Sequence, residues 1–258
     1  MQFTDQIGHT ITLNAPPQRI ISVVPSQTEL LYDLGAEVAG ITKFCIHPPA
    51  WFREKPRVGG TKQLHMDRID ALRPDLIIAN KEENEKVQIE SLAQKYPVWT
   101  SNIRTLEESL EMITLLGEVI DKKEPADTIA ARIANGFTSV HPLTPQIPVA
   151  YFIWRDPWMV AGGDTFINDM LQRCGLRNVF ADENRYPVVS LAQLAASGVK
   201  LVLLSSEPYP FKEKHIAEIK EYLPDADIAL VDGEMFSWYG SRLLHAPAYF
   251  NTLLNGLR

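Results

Sequence analysis

Cysteine is nearly absent from this chain of 258 residues: Cys45 and Cys174 are the only two, they fall in different halves, and neither sits in a CxxC or beside a histidine partner at metal-ligand spacing. A thiol redox motif is excluded on pattern, and two unpaired thiols are favoured over one disulfide. His47 lies near Cys45, but no further His, Asp or Glu stands at a spacing that would complete a metal site, so no metal ligands are expected. Long apolar runs are missing too. No stretch approaches the ~18 residues that span a bilayer, and no membrane insertion is expected. Nor is there a concentration of positive charge: 25 basic against 32 acidic residues give a net charge of -7 and a pI near 5.4, with the basic residues scattered. Nucleic acid is therefore a poor partner, since phosphate neutralisation needs clustered Lys and Arg. Met1 runs directly into QFTDQIGHTITL with no basic, apolar leader. The sequence is thus that of a cytoplasmic protein or of one whose leader has been removed.

The catalytic signatures are absent as well. There is no GxSxG elbow after a strand, no Gly-rich phosphate loop and no HExxH, and the Gly-Ser of WYGSRLL has neither the second glycine nor a strand directly before it. A hydrolase or transferase is the weaker reading, and a non-enzymatic binding role the stronger one.

What is present is a half-protein written twice around one helix. EPADTIAARIANGFTSV, from Glu124 to Val140, carries Ile129, Ile133, Phe137 and Val140 on one helical face and starts with a proline at its second position, where the missing N–H costs nothing. Before it, RIISVVPSQTELLYDLG reads strand, loop, helix; after it, VAYFIWRDPWMVAGGDTFINDMLQRCG repeats that order with a longer loop. LRPDLIIANKEE likewise answers to SGVKLVLLSSEP, and YPVWTSNI to ADIALVDGEMF. The pattern predicts an α/β protein with central, mostly parallel sheets: an N-terminal lobe over residues 1–122, a linking helix over 123–142 and a C-terminal lobe over 143–258. A ligand cleft between lobes is the usual corollary.

The apolar run Arg19 to Val24 suits a central parallel strand covered on both faces. Thr4 to Leu13 reads as a hairpin turning at Gly8, forming a lid or an edge ribbon. Ser26 and Glu29 are spaced as a capping box opening a helix that Gly35 closes. A helix start beyond a strand's carboxyl end offers free N–H groups, which makes Pro25, Ser26 and Gln27 candidate ligand contacts. Other loops bring Phe44 and His47, then Trp154, Arg155 and Trp158, then Tyr186, and finally Trp238, Tyr239 and Arg242. Aromatic plates with arginine forks suit a large, partly apolar ring or chelate bearing carboxylates or amides.

RIISVVPSQTELLYDLGAEVAGIT, CIHPP, RVGGT, IDALRPDLIIAN, VAGGDTFINDMLQRCGLRNVF and SWYGSRLL, in this order, cover nearly the whole chain. Together they resemble the substrate-binding proteins of ABC importers, in the helical-backbone class that binds cobalamin, iron-siderophores or haem, and most nearly its cobalamin branch. The resemblance implies a monomeric, non-catalytic receptor working outside the cytoplasmic membrane, with no catalytic cofactor. It would hold a corrinoid or iron chelate and dock on permease subunits through one glutamate per lobe. The matching candidates are Glu207 and one of Glu82, Glu83 or Glu85, and the docking pair is expected to be exposed on the same outer face, one on each lobe. A cytoplasmic chelate- or corrinoid-binding protein is the alternative. One departure stands out: the cobalamin binders carry tryptophan in the loops that correspond to Asn80 and Met235 here.

Overall fold

The computed structural model describes residues 1–257. They sort into two compact units: unit 1 contains Met1–Ile103, Glu107–Asn135 and Tyr239–Leu244, and unit 2 contains Arg104–Leu106, Gly136–Trp238 and the chain from His245 onward.

Unit 1 begins with the hairpin strands β1 (Gln2–Thr4) and β2 (Thr10–Thr12), followed by β3 (Ile20–Ser22), α1 (Pro25–Asp33), β4 (Val38–Ile41) and α2 (Pro49–Glu54). A two-residue-per-strand ribbon, β5 (Gly59–Gly60) and β6 (Gln63–Leu64), leads to α3 (Met66–Leu72), β7 (Leu76–Asn80), α4 (Lys86–Ala93) and β8 (Val98–Ser101). The sheet order is β4-β3-β7-β8, all parallel. β3, β7 and β8 are buried at every residue, which is what strands covered on both faces require of their sequence. β8 is an edge strand, and the hairpin protects it. Asp5, in the hairpin turn, accepts the Thr100 N–H at 3.1 Å and Gln6 accepts the Asn102 N–H at 3.1 Å, so the open edge is satisfied by side chains. The hairpin is an edge ribbon, with Gly8 at φ +86 in its turn.

The expected capping box at Ser26 and Glu29 does not form. Pro25 already occupies the first turn, so the N-cap is Val24, which has no side chain to cap with, and Ser26 and Glu29 both lie inside the helix.

α5 (Leu106–Val119) and α6 (Lys123–Phe137) follow. α6 buries Ala126, Ile129, Ala130 and Ile133, the i, i+3, i+4, i+7 stripe of an amphipathic helix. It ends at Phe137, three residues short of the expected Val140, because the Ser139 side chain and N–H both turn back onto the Gly136 carbonyl.

Unit 2 holds β9 (Ile147–Trp154), β10 (Met159–Val160), α7 (Phe166–Arg173), β11 (Leu176–Asn178), α8 (Leu191–Ala196), β12 (Leu201–Ser205), α9 (Glu213–Lys220), β13 (Asp227–Val231), α10 (Gly233–Ser237) and α11 (Ala246–Leu257), with a 3-10 turn at Ser241–Leu244 assigned to unit 1. The order is β10-β9-β12-β13, with β11 also on β9; β9, β11, β12 and β13 are parallel and β10 is antiparallel. β12 is central and wholly buried, and β13 at the edge is largely not. Ser190 and Gln193 close a capping box on α8. The α/β class with parallel central sheets is as the sequence pattern predicted.

Candidate functional site

In both units the loops of interest follow the carboxyl ends of parallel strands. In unit 1 the organising residue is Asn80, at the end of β7 and 1% exposed. Its side-chain oxygen accepts the N–H groups of Glu82 (2.8 Å) and Glu83 (3.0 Å), and its amide donates to Ser101 Oγ at 2.9 Å. Asn84 completes the turn, accepting the Asn80 N–H at 2.8 Å and donating to the Val23 and Thr61 carbonyls. Asparagine is there because this turn needs a short side chain that accepts from its own backbone two and three residues on. The sequence reading marks Asn80 only as standing where the cobalamin binders have tryptophan and does not single out Asn84; the N-x-x-x-N spacing after an apolar strand is the signal for the turn.

At the start of α1, Gln27 donates to Ser101 Oγ at 2.5 Å. Its own carbonyl oxygen, together with Ser26 Oγ and Ser241 Oγ, is buried without a hydrogen-bond partner in the protein. Such atoms are costly unless something binds them. The segment Tyr239–Leu244 packs over this helix. Gly240, at φ +116, is in a backbone conformation that strains any L side chain, and a β-carbon there would lie a tight 3.3 Å from the Ser26 carbonyl oxygen. Arg242 closes a fork on Glu29, through Nε at 2.9 Å and Nη2 at 2.5 Å, with both side chains largely buried. Burial pushes the Glu29 carboxyl above its ordinary value even against the arginine. Tyr239 donates its hydroxyl to Glu83 Oε1 at 2.9 Å.

Phe44 is half exposed and His47 partly so. Cys45, between them, is fully buried against Thr28 and Thr42 hydroxyls at 3.1 and 3.2 Å. Burial raises its thiol pKa, and that of Cys174 to about 12, so both are unreactive. Both cysteines are free.

In unit 2 the acidic residue after β12 is the best-held group. Glu207 Oε1 accepts from Ser237 Oγ and from Trp238 Nε1, each at 2.8 Å, and burial raises its pKa. The Glu207 backbone closes on Ser205, whose hydroxyl donates to its carbonyl at 2.5 Å. Gly233 makes this packing possible, since a β-carbon there would meet Ser205 Oγ at 2.3 Å and Glu207 Cγ at 2.7 Å. The expected exposure of Glu207 is therefore corrected: it is half-buried and bonded. Glu82 and Glu83 are half-buried as well, and Glu85 is exposed.

The loop after β9 uses its arginine locally. Arg155 makes a fork with Glu218 of α9 (3.0 and 2.6 Å), also reaches Asp156, and lies 5.1 Å over the Trp158 ring. Trp158 is stacked on Phe211 with planes 7° apart. Trp154 projects from the strand end, 39% exposed and edge-on to Tyr209. Tyr186 lies half-buried in the loop between β11 and α8. Among the described residues no group of three or more His, Cys, Asp and Glu is placed to hold a metal ion, and no helix is long and apolar enough to cross a membrane.

Comparison with known proteins bears on this arrangement. A vitamin B12-binding protein of Vibrio campbellii is 28% identical over 188 residues, covering 70% of this chain and 68% of that protein. One from Photorhabdus laumondii is 27% identical over 210 residues, covering 79% and 75%. Among solved structures, the periplasmic vitamin B12 binding protein BtuF of Vibrio cholerae superposes with a TM-score of 0.79 at 23% identity, over 93% of this chain and 97% of that one. The periplasmic haem-binding protein BhuT, in complex with two haems, gives 0.81 at 20% identity over 92% and 98%. At these identities the structures share the fold. The family model described as periplasmic binding protein matches residues 20–222, and the chain belongs to that family.

Proposed function

We propose that this protein is the non-catalytic substrate-binding component of an ABC importer, working outside the cytoplasmic membrane as a monomer of two lobes (1–122 and 143–258) joined by the helix within 123–142. Its ligand is a corrinoid or an iron chelate, taken at the loops beyond the strand ends. The observation that carries the reading is the run of relatives named vitamin B12-binding proteins at 27–28% identity across roughly seven-tenths or more of the chain. The site chemistry agrees with it. Phe44 and Trp154 are exposed rings at loops beyond strand ends, the kind of contact that a planar macrocycle or chelate needs.

Arg155 and Arg242 enter differently from their sequence reading. Both forks are engaged by glutamates, so their part in our reading is to fix the loops that carry Trp154, Trp158, Trp238 and Tyr239. Pro25, Tyr186 and His47 stay in the proposed lining. For the permease, Glu85 is the acidic residue of its turn that projects into solvent, and we assign docking to it ahead of Glu82 and Glu83. Glu207, held by Ser237 and Trp238, we assign to the ligand side rather than to docking.

Titration with cobalamin, cobinamide, haem and ferric siderophores, followed by tryptophan fluorescence, tests the proposal. Strong, saturable quenching by one class is expected, with a corrinoid first. Silence from all four ligands overturns it.

A further inference from the structure

Sequence spacing leaves the basic residues scattered, yet the fold of unit 1 gathers four of them. Lys43, Arg57, Lys62 and Arg68, with His65 and Phe44, line a cavity of about 480 Å³, and none of its lining residues is acidic. In a chain with an excess of carboxylates this is a local inversion of charge. None of the four cations forms an ion pair with a carboxylate among the described residues. They are held by neutral groups instead. Arg57 donates to the Lys55 carbonyl and lies 4.5 Å over the Phe52 ring. Arg68 Nη1 donates to the Arg57 carbonyl at 3.1 Å, Lys62 Nζ to the Glu82 carbonyl at 2.7 Å, and Lys43 sits 5.0 Å over the Phe44 ring. Anchoring through carbonyls and rings holds these cations without neutralising them, so an anion entering the cavity meets uncompensated positive charge.

The ribbon β5–β6 shapes the floor. Gly59, at φ +117, has the Gln63 carbonyl 2.4 Å from its β-carbon position, so the ribbon closes tightly only with glycine there. At Gly60 a β-carbon would lie 3.2 Å from both Lys43 Cε and Phe44 Cε2, which shows how closely those two side chains are laid on the bare backbone. The result is a concave surface with two guanidinium groups, two ammonium groups and one half-exposed ring.

We propose that this cavity binds a small phosphorylated molecule bearing at least two phosphoryl groups. Planar arginine forks match phosphoryl oxygens in pairs, lysines supply point charge, and four fixed charges suit an anion of several negative charges better than a single carboxylate. The cavity lies wholly within unit 1 and shares Phe44 with the proposed chelate lining; the proposal goes beyond the chelate reading, and a pyrophosphate titration tests it independently of the chelate titration.

The test is calorimetric titration of the full chain with inorganic pyrophosphate and, in parallel, citrate, at about 0.15 M salt and again at higher salt. Pyrophosphate is expected to bind saturably, more weakly as salt rises, and at least about tenfold more tightly than citrate. Lys43→Gln with Arg68→Gln should weaken pyrophosphate about tenfold or more. Lys43→Gln alone should give a smaller loss, and it removes no hydrogen bond of the described structure. Circular dichroism and the melting temperature of each variant verify folding. No heat from pyrophosphate up to about 1 mM, equal binding of citrate, or unchanged affinity in the folded variants would overturn the proposal.

Discussion

Removing the Arg242 side chain tests the central energetic claim about unit 1, that its late segment Tyr239–Leu244 is fastened to α1 by one charged fork. Arg242→Ala deletes two charge-assisted hydrogen bonds to Glu29, at 2.9 and 2.5 Å, and leaves the carboxylate behind with about 16% exposure. A hydrogen bond to a charged group contributes about 1.5–3 kcal/mol, and breaking a fully buried pair from one side costs about 3–5 kcal/mol. Water still reaches this pair, which lowers the expected loss to about 2–4 kcal/mol at neutral pH, roughly 5–12 °C in melting temperature for a chain of this size. The loss depends on pH with a definite sign. Glu29 is already raised above its unfolded value by burial, and without the arginine it rises further. A raised carboxyl makes its contribution in the protonated form, present at low pH and lost as pH rises through the folded value. The penalty of Arg242→Ala should therefore be large at pH 7 and shrink towards pH 4 to 5. Glu29→Gln combined with Arg242→Met should recover most of the stability at pH 7, since no uncompensated charge remains. Urea melts of the three proteins across pH are the assay. A loss below about 0.5 kcal/mol at pH 7, as for a surface pair, or a penalty that grows on acidification, would refute the reasoning.

Two further outcomes follow from the packing. Glu207→Gln keeps an oxygen for Ser237 and Trp238 to donate to but removes the titration. Because burial raises the Glu207 pKa, the native state loses stability as pH rises through that value, so the variant should match the wild type near pH 4 and exceed it near pH 8 in melting temperature; a difference that does not vary with pH would count against the buried carboxylate. Gly163→Ala would set a β-carbon 1.9 Å from the Ala181 carbonyl oxygen, main chain against main chain with no rotamer to give way. We expect a loss of at least about 3 kcal/mol by denaturant unfolding, and a mild change would mean that the 162–185 loops separate readily.

The elements legible along the chain are those whose signal is local. Ile20–Ser22, Leu76–Asn80 and Leu201–Ser205 are short and almost wholly apolar because strands covered on both faces leave no side for water. The stripe Ile129, Ile133 and Phe137 marked α6 for the complementary reason, a helix with one wet face. The doubling of strand, loop and helix about that helix was legible as order along the chain, and with it the α/β class. The family could be recognised because its motifs follow that order. Tertiary structure decided which groups meet. Nothing near Glu29 or Arg242 in the sequence announces a pairing across 213 positions, and the fork that pattern alone would offer to a ligand is spent on Glu29. Pro25 displaced a well-spaced capping box by starting the helix two residues early. The two-residue strands β5, β6 and β10 are too short to carry any periodicity and exist only because a partner strand is there to pair with them. The four cations at 43, 57, 62 and 68 are unremarkable in a linear reading. Charge acts through space, so their common field exists only once the ribbon at Gly59 and Gly60 has brought them to one cavity.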